Sequence, residues 1–84
     1  MPSYVVEAYV PSRRSRELPD AAERAREAAV MLAAEGKGIR FVRSTFLPTD
    51  EVCFLVFEAD SAALVGEVTE RAAIDFERII EAVE

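Results

Sequence analysis

The chain has 84 residues, is 51% hydrophobic and holds only three Gly and four Pro, a composition for one packed domain rather than a disordered chain. Its formal net charge of −6 repels phosphate backbones and anionic lipid surfaces, so neither nucleic acid nor a membrane is an expected partner. With no His and a single Cys, a Ser/His/Asp triad and an intramolecular disulfide are both excluded.

The segment from Met1 to Glu7 has neither a basic flank nor a long apolar run, so no signal peptide is expected and the protein should be cytoplasmic. Strand one is predicted over about Ser3 to Val10. Tyr4, Val6, Ala8 and Val10 point one way, and Val5, Glu7 and Tyr9 point the other. Both sets are largely apolar, which suits a strand covered on both faces. Glu7 is the exception: a carboxylate between apolar neighbours needs a partner, a hydrogen bond or a proton. It is the candidate general acid or base, with a structural salt bridge to Arg43 or Arg78 as the alternative. Tyr9 shares its face and is a candidate ligand-orienting group, or an aromatic contact at a dimer seam.

Pro11 ends the strand because it cannot donate to a ladder. Ser12 to Glu17 is a locally basic segment, read as a solvated loop. Helix one should begin near Asp20, where Asp20 and Glu23 have capping-box spacing. Ala22, Ala25, Ala29, Leu32 and Ala33 make its apolar stripe, and Gly36 is placed to close it in a left-handed cap.

Strand two is predicted over Ile39 to Leu47, its Arg40, Arg43, Ser44 and Thr45 marking it as an edge strand. Ser44 carries a hydroxyl that could bind a ligand, but no His or Lys stands by to activate it. Pro48 to Glu51 turns the chain into Val52-Cys53-Phe54-Leu55-Val56-Phe57, an uncharged run that reads as a strand buried on both faces. Cys53 reads as a small core hydrophobe, with a ligand-binding or reactive thiol as the alternative.

Helix two should start at Asp60 or Ser61, with Leu64, Val65, Val68 and Ala72 as its stripe and Gly66 weakening it. Phe76, Ile79, Ile80 and Val83 extend that stripe, so periodicity alone slightly favours one long terminal helix. Topology points the other way. A right-handed crossover in a β-α-β-β start sets strand one beside strand three. Without a fourth strand, strand one is an exposed apolar edge. A terminal strand over about Phe76 to Val83 covers it and yields an α+β, ferredoxin-like βαββαβ domain spanning residues 1–84, with sheet order 4-1-3-2.

These segments resemble a family of small bacterial ferredoxin-like domains of unknown function, often labelled nickel-binding. Tyr4-Val5-Val6-Glu7 looks like its first strand, Phe41-Val42-Arg43-Ser44 its second, Phe57-Glu58-Ala59 with Ser61 its exit into helix two, and Arg78 to Val83 its last strand. The resemblance implies a homodimeric α+β barrel with two sheets packed face to face. Where the family has a Glu-His pair in helix two, this chain reads Glu67-Val68. Where it has a Gly pair and a Pro turn, this chain reads Ala72-Ala73-Ile74-Asp75. The family's strand-three Cys would fall at Leu55. Without the imidazole and a correctly placed thiolate, nickel binding does not carry over, and neither a metal nor a cofactor is expected. Two functional readings follow. One is a non-catalytic binding or structural module. The other is a cofactor-free enzyme or small-molecule carrier with its cavity between the dimer sheets and Glu7 as acid/base.

Overall fold

In a computed structural model of the chain, which describes residues 1–83, the strands β1 (Ser3–Tyr9), β2 (Ile39–Leu47), β3 (Val52–Ala59) and β4 (Arg78–Ala82) form one antiparallel sheet. Its order is β2-β3-β1-β4, so the two most apolar strands are central and the terminal segment is a strand. Helices α1 (Leu18–Ala34) and α2 (Ala62–Arg71) complete the βαββαβ order. Their buried residues Ala25, Ala28, Ala29, Leu32, Val65 and Val68 share one core with Tyr4, Val6, Leu55 and Phe57 of the sheet.

The register sets the two faces. Tyr4 pairs with Phe57, Val6 with Leu55 and Ala8 with Cys53, and all six are buried beneath the helices. Val5 pairs with Val56 and Glu7 with Phe54 on the opposite face. In β2 the alternation is broken on purpose: Phe41 pairs with Phe57 and Arg43 with Val56, leaving Val42 as the extra residue of a bulge. Strict alternation from Phe41 would have turned Arg43 toward the core. The bulge sends it to the open face and brings Ser44 and Phe46 to the helix side. At the core centre Phe41 meets Phe57 edge to face, ring centroids 5.3 Å apart.

Three sequence expectations need correction. Ser12–Glu17 is a 3-10 helix rather than a loop, and it runs straight into α1. The helix therefore starts at Leu18, two residues before Asp20, with no side-chain cap. Pro19 lies in the first turn, where its missing N–H is not needed and its fixed φ already suits a helix. The stripe of α1 includes Ala28 in place of Ala33, which is exposed.

Both helices end by the same device. At α1, Gly36 has φ 88°, its N–H donates to Ala33 O and the Lys37 N–H donates to Leu32 O. At α2 the left-handed residue is Ala73, φ 54°, with Ala73 N–H on Glu70 O and Ile74 N–H on Thr69 O. This second cap is why the helical stripe stops at Arg71 and the chain turns back to build β4. A Cβ in that conformation costs on the order of 1 kcal/mol. Ala73→Gly is therefore expected to stabilise the fold by about 0.5 kcal/mol, after the extra freedom of the unfolded chain is subtracted. Urea denaturation should show a raised midpoint with unchanged slope.

Candidate functional site

The four residues singled out by sequence fall on opposite faces of the sheet. Glu7 and Tyr9 belong to the face without helices. Ser44 pairs with Leu55, and Cys53 with Ala8, so both belong to the helix side. One chain does not bring the four together.

On the open face Glu7 is partly buried and meets Arg78, whose Nε and Nη2 both donate to Glu7 Oε1 at 3.2 Å. The two residues are direct cross-strand partners in β1 and β4. This is the salt bridge weighed as the alternative to an acid/base role. Tyr9 is 55% exposed at the end of β1, its hydroxyl 3.4 Å from Glu51 Oε1. Glu51 also accepts the Ser12 N–H at 2.6 Å through Oε2. Those bonds help hold Glu51 at φ 55°, a conformation that otherwise favours glycine. The rest of the face is apolar at its centre: Val5, Phe54, Val56 and Ile80 are only half-buried or exposed. A second ion pair, Arg40 Nε to Glu58 Oε1 at 3.1 Å, lies toward the β2 edge. Val52–Phe57 is therefore buried on one face only within a single chain, in contrast with the two-sided burial its composition predicts.

Cys53 is 2% exposed, and burial pushes its thiol above the ordinary range. The charged thiolate is disfavoured there, so the residue is a neutral, weakly polar group rather than a nucleophile. Ser44 is exposed on the edge strand.

Cys53 contributes to a cleft of about 260 Å³ on the helix side. Its floor is Ala8, Val10, Cys53 and Leu55; its walls are the first turns of α1 with the 3-10 helix before it, and the connector Ala73-Ile74-Asp75 after α2. Charged groups ring it: Arg14, Glu17, Asp20, Arg24 and Asp75. Glu7 does not line it. Apart from Cys53 and Tyr9, sequence reasoning named none of these residues as site candidates. They fall in four groups spread over residues 8–75, and no local pattern joins them.

Three comparisons place the chain. The sequence profile of the family described as SCO4226-like nickel-responsive proteins matches residues 4–82. The crystal structure of SCO4226 from Streptomyces coelicolor A3(2) aligns over 95% of this chain and 94% of that one, with a TM-score of 0.73 and 18% sequence identity, a likeness of fold. No curated protein sequence matches.

Proposed function

The chain belongs to the SCO4226-like nickel-responsive protein family, and from that premise we propose that it is a homodimeric, non-catalytic binding or structural module that does not itself hold nickel. The observation that carries the reading is the open sheet face, where Val5, Phe54, Val56 and Ile80 stand without cover in a single chain.

Two properties of that face favour a second copy as its cover. A domain of 84 residues buries a modest share of its surface alone, so association adds stability it otherwise lacks. Four of the charges on the face are matched within the chain, Glu7 with Arg78 and Glu58 with Arg40, and Arg43 on the edge strand is exposed and long enough to keep its guanidinium in water, so packing the face against itself brings apolar centres together without stranding either pair.

The donor set does not fit nickel. The chain has no imidazole, and its one thiol is buried and held in the neutral form. Among the described residues no three His, Cys, Asp or Glu side chains come together as a metal site. Borderline transition metals select imidazole and thiolate over isolated carboxylates.

Sedimentation of the purified protein at micromolar concentration is expected to show a dimer, and calorimetric titration with nickel chloride no binding in the micromolar range. A stable monomer would remove the dimer reading. Micromolar nickel affinity would remove the second half of the proposal.

A further inference from the structure

We propose that the cleft above Cys53 binds a small organic amine, of the size of one ring with a short aminoalkyl arm. This site is on the helix side of the sheet and does not depend on the dimer seam.

The shape comes first. At about 260 Å³ the cleft is just below the usual size of drug-sized ligand pockets, about 300–1,000 Å³. It is open on one side, and its interior is apolar, with Leu18, Leu55 and Ile74 facing the same space. Such a volume takes a single ring or a short aliphatic chain.

The charge selects the class. Of the rim cations, Arg14 donates from Nε and Nη2 to both oxygens of Glu17, at 3.3 and 3.2 Å. Arg24 donates from Nε to Ala72 O at 2.9 Å, tying α1 to the end of α2. Arg14 is thereby paired, while Arg24 is held at the wall with its charge opposed by no carboxylate at ion-pair distance. Asp20 and Asp75, one on each wall, have no hydrogen-bond or ion-pair partner among the described residues. Asp75 also lies in the field of Arg14, but three carboxylates against two guanidiniums around the cleft leave a net negative mouth, which favours an ammonium group there with its hydrocarbon inside. The chain's net charge of −6 raises the local concentration of such a cation and lowers that of a carboxylate.

The floor points the same way. Cys53 is almost wholly buried, lines the cleft and has no hydrogen-bond partner among the described residues. Held as a neutral thiol, it offers a soft, polarizable contact to a ring and no charge.

The test uses the full chain with phenethylamine, benzyl alcohol and phenylacetate as probes, read by amide chemical shifts. Phenethylamine is expected to shift Cys53, Leu55 and Ile74. Because charge-assisted contacts are lost, phenylacetate should bind at least about tenfold more weakly, and Asp75→Asn combined with Asp20→Asn should weaken the amine by about tenfold. Asp75→Asn alone, at an exposed connector position, provides the same readout at smaller amplitude and leaves the first turn of α1 untouched. The proposal is overturned if benzyl alcohol or phenylacetate binds as well as the amine. It is equally overturned if the shifts fall on Phe54 and Val56 of the open face, or if no binding tighter than about 10 mM is seen. None of these outcomes bears on the dimer, which sedimentation reads separately.

Discussion

Val5→Asp is expected to dissociate the proposed dimer into a monomer that remains folded. Val5 lies on a central strand, with Val56 on one side and Ile80 on the other, so it marks the middle of the open face. In a single chain the position is half-buried, and a carboxylate there can reach water. The strand would lose about 1 kcal/mol in packing and propensity. In the proposed dimer the same carboxylate would be desolvated, close to Glu7 on its own strand and to its symmetry mate across the seam. An uncompensated buried charge costs about 3–5 kcal/mol. With two such groups in the assembly, the dimer dissociation constant should rise by more than about 1,000-fold. Sedimentation velocity across a concentration series measures this directly. Val30→Asp is the control. Val30 is 57% exposed on α1, near Met31, and these two make a separate apolar patch. Were Val30→Asp to dissociate the protein while Val5→Asp did not, the interface would run along α1 instead.

Phe57→Ala should have the largest effect on stability. Phe57 is fully buried and packs edge to face on Phe41. Removing the ring leaves a cavity that the sheet and helices cannot both close, at a cost of about 3–5 kcal/mol. Small domains have about 5–15 kcal/mol in total, so much of the margin would go. The melting temperature should fall by roughly 12–40 °C, at about 4–8 °C per kcal/mol for a domain of this size. Phe54→Ala gives the contrast. It lies three residues earlier, on the open face, and is half-buried in the single chain. Its truncation should cost a dissociated chain far less than Phe57→Ala, and should act mainly on association. Calorimetry of both variants in the Val5→Asp background separates the two effects. Equal losses there would mean that the open face is as well covered within one chain as the helix side.

The nickel label and the sequence diverge for a physical reason. A metal site needs specific donors converging at one point, whereas the fold needs only an apolar pattern with turns in the right places. This chain keeps the second, and of the donors that select nickel it has no imidazole and a single buried thiol. The strand limits, the Ser61 cap whose side chain accepts the Leu64 N–H, and the βαββαβ order are all present. The imidazole is not.

What the sequence determined by itself follows from local chemistry. Pro11 stopping β1, Gly36 in a left-handed cap, the Pro48–Glu51 turn and the charged edge strand β2 are each set by a residue and its immediate neighbours. The terminal strand needed one further step, since its periodicity continued the helical stripe. The need to cover the β1 edge decided it, and the left-handed Ala73 is the local feature that makes the turn. That residue carries no sequence signal, because alanine ordinarily prolongs a helix.

The tertiary structure alone decided the rest. The bulge at Val42 shifts every later β2 residue to the other face, and alternation cannot reveal it because the extra residue is itself apolar. The separation of Glu7 from Ser44 and Cys53 depends on register and on that bulge, while Tyr9, at the end of β1, comes to line the cleft with Cys53. The cleft depends on Asp20 and Asp75 meeting across the end of the sheet, more than 50 residues apart in the chain. Hydrophobic pattern says which residues leave water. It does not say which distant side chains come to face the same space.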